Sequence, residues 1–140
     1  MANQDFSIVI LAAGKSTRFK SERSKLIHTL AGRSLGDYVV STALAAQPES
    51  VLMVVGHNAA PVRETLARPG LKFIEQKQQR GTGHALMVAR PQLEKCKGSA
   101  VVVVVGDAPL LRAETLRELV AVHLKARASA GRCCRCSGGW

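Results

Sequence analysis

The residues best suited to chemistry lie in the loop that follows the first apolar run of the chain. Residues 8–13 are apolar, and residues 14–20 after them hold a glycine, two hydroxyls and three cations. Gly14 lets a ligand approach the backbone, and Arg18 adds a planar charged fork that suits phosphate. The pattern predicts a phosphate-binding loop, and an ordinary strand-to-helix loop with solvated Lys and Arg side chains is the alternative.

A second polar segment, residues 76–84, offers amides and glycines to a ligand. Its sequence is Gln-Lys-Gln-Gln-Arg-Gly-Thr-Gly-His. Amide side chains and exposed backbone could read the hydrogen-bonding edge of a base or a sugar. A polar surface loop is the alternative interpretation.

The third signal is Asp107, a carboxylate that closely follows the valine run at residues 101–105. A carboxylate at the end of a buried strand commonly holds Mg²⁺, because Mg²⁺ sites combine one or two carboxylates with nucleotide phosphate oxygens. We therefore expect Mg²⁺ as a cofactor with Asp107 as a ligand. An Asp that caps the following turn is the alternative.

The elements that must position these residues alternate along the chain. Continuously apolar runs predict buried strands, and helical spacing of apolar residues predicts helices between them. The strands are expected at residues 7–12, 50–55, 71–75 and 99–105, and the helices at residues 35–46, 60–67, 83–89 or beyond, and 112–127. Thr82 is the expected N-cap of the third helix.

This alternation predicts the fold class. Buried strands that alternate with helices imply an α/β domain with a Rossmann-like, doubly wound parallel sheet in a three-layer α/β/α arrangement. Ligands of such sheets bind outside the carboxyl ends of the strands. The three polar signals should therefore form one site.

Length and composition narrow the classes of function. The chain of 140 residues, 46% of them hydrophobic, is sufficient for one domain with a core. No apolar run approaches the roughly 18 residues of a spanning helix, and no signal-type pattern is present, so we expect a cytoplasmic protein. The formal net charge of +10 comes with only five aromatic residues (one Trp, one Tyr and three Phe), which argues against nucleic acid as a partner.

The cations are unevenly distributed. Six of the twenty follow the first strand closely: Lys15, Arg18, Lys20, Arg23, Lys25 and Arg33. Such a cluster suits a small phosphorylated ligand better than a duplex. A solvated basic face is the preferred interpretation for Lys20, Arg23 and Arg33. The cysteines at residues 133–136 lack the paired spacing and histidines of a zinc site, so no metal is expected there.

Two common nucleotide-binding motifs fit poorly. A dinucleotide fold needs Gly-x-Gly-x-x-Gly after the first strand, whereas this loop has one glycine. A P-loop kinase stays open as a rival, because Gly14-Lys15-Ser16 matches the end of the Walker motif. The first glycine of that motif would, however, fall at Val9, in the middle of the strand.

Taken together, the motifs resemble the sugar-phosphate nucleotidyltransferases. Within them, the resemblance is to the uridyltransferase domain of the bacterial bifunctional N-acetylglucosamine-1-phosphate uridyltransferases/glucosamine-1-phosphate acetyltransferases. It extends from Ser7 to His123. The matching segments are Leu11-Ala12-Ala13-Gly14-x-x-Thr17-Arg18, Lys25, Leu30-Ala31-Gly32, Gln76-x-x-Gln79-x-Gly81-Thr82-Gly83-His84-Ala85 and Gly106-Asp107-x-Pro109-Leu110.

The resemblance implies a reaction and roles for single residues. The phosphate of N-acetylglucosamine 1-phosphate would attack the α-phosphate of UTP and release pyrophosphate. Arg18 and Lys25 would be catalytic and neutralise the phosphates, and Asp107 would be one of two protein ligands to Mg²⁺. The other nucleotide-binding residues would be Leu11, Ala12, Ala13 and Gly14 at the first loop, and Gln76, Gln79, Gly81 and Thr82 for uracil and ribose.

The resemblance also implies that the chain is incomplete. Residues 1–127 would be the N-terminal part of a nucleotidyltransferase domain, without the family's later half that supplies the sugar pocket and the second metal ligand. Residues 128–140 form a tail rich in Cys, Arg and Gly, which we interpret as an aberrant ending. We therefore expect an exposed sheet edge that favours self-association. A non-catalytic nucleotide-binding or interaction fragment stays open as the alternative to an enzyme.

Overall fold

The computed structural model describes residues 6–13, 25–56, 59–78, 80–127 and 129–130. A 3₁₀ turn, Lys25–Ile27, precedes a short hairpin. The strands within these ranges are β1 (Phe6–Ala12), β2 (Thr29–Leu30), β3 (Arg33–Ser34), β4 (Ser50–Gly56), β5 (Leu71–Gln76) and β6 (Ala100–Val105). The helices are α1 (Leu35–Ala45), α2 (Ala60–Leu66), α3 (Thr82–Leu93) and α4 (Ala113–Ala126).

The main sheet has four parallel strands in the order β5-β4-β1-β6. In the centre, Ile8 of β1 lies between Val51 of β4 and Val102 of β6. After β1 the chain adds β4 and β5 on one side and then returns to place β6 on the other. The strand order therefore reverses at β1, and the crevice between the ends of β1 and β6 is where such folds bind ligands.

Helices cover both faces of this sheet, which confirms the predicted fold class. Ile8 and Ile10 of β1 face a core that includes Val40 of α1, Leu66 of α2 and residues of α4. Val9 faces the opposite core, which contains residues of α3. The alternation follows from the period of two along a strand, and each fully buried aliphatic side chain contributes about 1.5–3 kcal/mol. None of the helices in the described ranges has the length and apolar character needed to cross a membrane.

Strand β6 lies at an edge of the sheet. It pairs with β1, and no strand of the described residues pairs with its other side. Val102 and Val104 are buried, whereas Val101, Val103 and Val105 are 47%, 43% and 52% exposed. A groove of about 620 Å³ runs along β6 and α4. The outer edge of the sheet therefore presents both backbone groups and apolar side chains.

The predicted N-cap of α3 is wrong. Thr82 is the first residue of the helix, and Gly81 is its N-cap, with no hydrogen bond from a capping side chain. Gly81 has φ +93°, a conformation that strongly favours glycine, and its carbonyl accepts a hydrogen bond from the Ala85 amide at 3.2 Å. The backbone freedom of glycine, and not a hydroxyl, begins this helix.

Arg33 is more than the solvated cation that the sequence suggested. Its Nε donates to Oδ2 of Asp37 at 2.7 Å, and its guanidinium lies 4.8 Å from the centre of the Tyr38 ring. Arg68, which follows α2, binds the other oxygen of Asp37. Because the Asp37 side chain is only 11% exposed, these contacts fasten the start of α1 to the end of α2.

Candidate functional site

The structure describes most of the expected site residues. Leu11 and Ala12 end β1, and Ala13 follows them. Lys25, Gln76, Gly81, Thr82 and Asp107 are also described. Three expected residues lie outside the described ranges: Gly14, Arg18 and Gln79. Cys133, Cys134 and Cys136 of the tail also lie outside them.

A cation and an anion meet near the crevice between β1 and β6. Nζ of Lys25 lies 3.9 Å from Oδ2 of Asp107, and the two side chains are 40% and 51% exposed. Exposed ion pairs contribute about 0.2–1 kcal/mol, so ligand groups can rearrange this pair at little cost. The site can therefore present an ammonium group to phosphate and a carboxylate to a divalent cation.

Gly106 allows the end of β6 to approach β1. Its amide donates to the carbonyl of Leu11 at 2.9 Å, which continues the strand pairing beyond Val105. A Cβ at this position would lie 2.7 Å from Cδ2 of Leu26 and 3.2 Å from the carbonyl oxygen of Leu11. Leu26 is 5% exposed and anchors the turn that carries Lys25. A side chain at Gly106 would thus disturb the neighbours of both charged residues.

The end of β5 and the start of α3 form a second part of the site. Gln76 is 2% exposed, and its Nε2 lies 3.4 Å from the carbonyl oxygen of Gly81 and 2.8 Å from Nδ1 of His84. Gly81 and Thr82 are exposed. No heavy atom lies within 4 Å of the position that a Cβ would take at Gly81 or Gly83. The glycines therefore leave accessible backbone beside a buried amide.

Both parts of the site lie at the same end of the sheet. Gln76 ends β5 and Asp107 follows β6, which are the two outer strands of the order β5-β4-β1-β6. Three strand spacings of about 4.8 Å separate these strands by roughly 14 Å. An extended nucleoside triphosphate has dimensions suited to such an edge, with its base at one end and its phosphates at the other.

The donor set near Asp107 fits a cation that is held mainly by a substrate. Among the residues that the structure describes, no group of three or more His, Cys, Asp or Glu side chains could hold a metal ion. Mg²⁺ is commonly bound by one or two carboxylates together with phosphate oxygens and waters. The half-exposed carboxylate of Asp107 satisfies that requirement, so the residues present are compatible with Mg²⁺.

Two residues near the site received no role in the sequence analysis. Gly106 belongs to a motif of the sequence analysis, but its close approach to Leu26 depends on tertiary packing, which the spacing of residues in the sequence does not show. His84 likewise belongs to a motif, and only the structure shows that it contacts Gln76.

The doubly wound sheet, the charged pair at its switch point and the open start of α3 are typical of a nucleotide-binding α/β protein. The family model for the MobA-like NTP transferase domain matches residues 8–139. The chain belongs to this family. It is a nucleotidyltransferase by family membership, as predicted, and the P-loop interpretation is not favoured.

Curated relatives confirm the predicted resemblance. The chain is 48% identical over 119 residues to the bifunctional protein GlmU of Solibacter usitatus, covering 84% of this chain and 25% of the relative. It is 45% identical over 122 residues to the bifunctional protein GlmU of Koribacter versatilis, covering 86% of this chain and 26% of the relative. The chain thus spans about a quarter of the length of these relatives.

Solved structures share the fold. Rv0371c from Mycobacterium tuberculosis superposes with a TM-score of 0.73 at 25% identity, covering 87% of this chain and 62% of that chain. The complex of the same protein with manganese gives a TM-score of 0.66 at 23% identity, covering 84% of this chain and 59% of that chain.

Proposed function

We propose that this chain supplies the nucleotide-binding part of a uridylyl transfer from UTP to N-acetylglucosamine 1-phosphate, which yields UDP-N-acetylglucosamine and pyrophosphate. The observation that carries the proposal is the pairing of Lys25 with Asp107 at the switch point of the sheet. The similarity to the GlmU proteins supports this choice of reaction among those of the family.

The reaction needs in-line positioning and neutralisation of charge more than covalent catalysis. A phosphate oxygen of the sugar phosphate attacks the α-phosphorus of UTP, and the bond from that phosphorus to the bridging oxygen of the β-phosphate breaks as pyrophosphate leaves. Lys25 neutralises non-bridging oxygens as charge develops on them, and we assign Arg18 the same role. A divalent cation held by Asp107, which we propose to be Mg²⁺, would supply further charge neutralisation to the phosphates.

The remaining contacts fix the nucleotide. We assign uracil and ribose recognition to Gln76, Gln79, Gly81 and Thr82, because the accessible glycine backbone lies beside the Gln76 amide. We assign contacts with the nucleotide through the protein backbone to Leu11 and Ala12, which end β1, and to Ala13 and Gly14, which follow them in the sequence.

We expect the 140-residue chain to bind UTP without measurable synthesis of UDP-N-acetylglucosamine. By the resemblance, the sugar pocket and a second metal ligand come from the family's later half, and this chain spans only about a quarter of its curated relatives. We also expect a cytoplasmic location and self-association through the exposed edge of β6. A non-catalytic interaction fragment would bind no nucleotide, so binding discriminates between the two readings.

The test is calorimetric titration of the purified chain with UTP in the presence of Mg²⁺, compared with ATP. We expect saturable binding of UTP, weaker binding of ATP, and loss of affinity when EDTA replaces Mg²⁺. A Lys125→Ala variant is the control for the loss of a cation outside the proposed site, because Lys125 lies in the last turn of α4. It should bind UTP as the unmodified chain does. Absence of UTP binding by a folded chain would refute the proposal. Production of UDP-N-acetylglucosamine by this chain would refute the expectation that synthesis needs the sugar pocket and the second metal ligand of the family's later half.

A further inference from the structure

The orientation of the Gln76 amide is determined by the backbone carbonyl of Gly81. Its Nε2 lies 3.4 Å from the carbonyl oxygen of Gly81 and 2.8 Å from Nδ1 of His84. A backbone carbonyl can only accept a hydrogen bond. If the amide were rotated by half a turn, its oxygen would face the carbonyl oxygen of Gly81, and the two acceptors would repel each other. The NH₂ group of Gln76 therefore points toward Gly81 and His84.

This orientation assigns the tautomer of His84. Nδ1 of His84 lies 2.8 Å from a nitrogen that donates, so Nδ1 must carry a lone pair. In a neutral imidazole, one nitrogen then donates and the other accepts. The proton of His84 is therefore on Nε2. His84 lies in the first turn of α3, where the helix holds its ring against the end of β5.

The contacts with Gly81 and His84 occupy the NH₂ group of Gln76 and leave its oxygen, Oε1, for a ligand. Both hydrogens of the NH₂ group are directed to protein acceptors, and Oε1 is the remaining polar atom of the amide. Gln76 is 2% exposed, so packing prevents the side chain from turning freely to suit a different ligand. Gln76 therefore presents the hydrogen-bond acceptor Oε1 to the site. A base that carries an N–H group facing Oε1 would complement it.

We propose that His84 is a positioning residue for base selection: by accepting from Gln76, it holds Oε1 ready to accept the imide N–H of a uracil-type base. This inference rests on the proposed function. Uracil has a donor at N3, whereas cytosine has an acceptor there and would face Oε1 with no hydrogen between them. The contact between His84 and Gln76 thus contributes to the discrimination of uridine from cytidine nucleotides.

The first experiment compares UTP and CTP binding in the full chain and two variants at His84. His84→Leu removes the acceptor, and we expect the ratio of the two dissociation constants to fall by roughly threefold to tenfold, the effect of one neutral hydrogen bond. His84→Asn keeps an acceptor close to the position of Nδ1, and we expect it to restore much of the ratio. His123→Leu on α4 is the control histidine and should leave the ratio unchanged.

A merely structural role for His84 predicts a different result. General loosening of α3 would weaken UTP and CTP by the same factor and leave the ratio unchanged in His84→Leu. That result would overturn the inference, and so would a failure of His84→Asn to recover more discrimination than His84→Leu. Thermal unfolding of each variant establishes that the comparison concerns folded protein.

A second measurement is independent of any nucleotide. Nitrogen-15 NMR of the imidazole distinguishes the two tautomers, and we expect Nε2–H for His84, with a change in the side-chain NH₂ signals of Gln76 in His84→Leu. An Nδ1–H tautomer would overturn the inference even if UTP binds. Failure of the unmodified chain to bind UTP while this tautomer is observed would refute the proposed function and base selection with it, but would leave the contact between His84 and Gln76 established.

Discussion

Replacement of Asp107 by Asn tests the proposed metal site with little expected damage to the fold. The carboxylate is 51% exposed and lies 3.9 Å from the ammonium of Lys25, which is 40% exposed. Exposed pairs of this kind contribute about 0.2–1 kcal/mol, so the free energy of unfolding should fall by less than about 1 kcal/mol. The amide retains the shape of the carboxylate while removing its charge.

The substitution should change UTP affinity in opposite directions with and without Mg²⁺. With Mg²⁺, loss of a charged interaction is expected to weaken binding by about 1.5–3 kcal/mol, or roughly 10- to 150-fold. Without Mg²⁺, the carboxylate of the unmodified chain repels the phosphates. Two like charges about 4 Å apart in water repel by roughly 1 kcal/mol, so Asp107→Asn should bind metal-free UTP up to about fivefold more tightly.

The assay is titration with UTP in buffers that contain either Mg²⁺ or EDTA, accompanied by urea denaturation. Glu114→Gln is the matched control, because Glu114 lies 3.8 Å from Nη2 of Arg117 in another exposed pair on α4. It removes the same charge from an exposed pair that the proposed site does not include. Persistent enhancement of UTP binding by Mg²⁺ in Asp107→Asn would show that Asp107 only caps its turn and would refute the reasoning.

Three further predictions concern the phosphates, the fold and the sheet edge. Lys25→Ala and Arg18→Ala should each weaken UTP binding by about 1.5–3 kcal/mol, as measured by titration, because each loses a charge-assisted contact with phosphate. Asp37→Asn should lower the free energy of unfolding in urea by about 2 kcal/mol, because both Arg partners of a largely buried carboxylate lose their charged acceptor. Val103→Lys should reduce self-association in analytical ultracentrifugation, because a charge blunts the exposed edge of β6.

Controls and contrary results are specific to each prediction. If UTP affinity in both cation variants stays the same as in the unmodified chain, the first loop and Lys25 do not belong to the site. Glu94→Gln is the control for Asp37→Asn, because its pair with Arg90 is exposed and should contribute less than about 1 kcal/mol; equal destabilisation by both would contradict a special role for Asp37. Val122→Lys is the control for Val103→Lys, because Val122 lies on the exposed face of α4, and it should leave self-association unchanged. An equal effect of the two substitutions would indicate general charge repulsion.

The strands of the main sheet could be predicted because their composition allows few alternatives. A run such as residues 101–105, with five consecutive valines, is too short for a typical helix and rich in β-branched residues. The parallel direction followed from the helices between the strands. The short hairpin of β2 and β3 was not anticipated, because two residues per strand provide no period to detect.

Predictions made from single residues failed where the conformation or the contacts of other residues determined the structure. Thr82 has the hydroxyl of a good N-cap, but the positive φ of Gly81 begins α3 one position earlier. Arg33 looked like a surface cation, and its role depends on Asp37 and on Arg68 from a different part of the chain. Neither outcome can be read from residue type alone.

The sequence by itself determined the class of fold, the family and the segments that form the proposed site, since apolar periodicity and glycine-rich motifs are local properties of the chain. Only the tertiary structure brought Lys25 to Asp107, required Gly106 beside Leu26, and turned the Gln76 amide toward His84. These relations depend on which strands become neighbours and how closely they pack. They join residues distant in sequence or set orientations that spacing does not encode, because packing in three dimensions selects among arrangements that the local sequence allows equally.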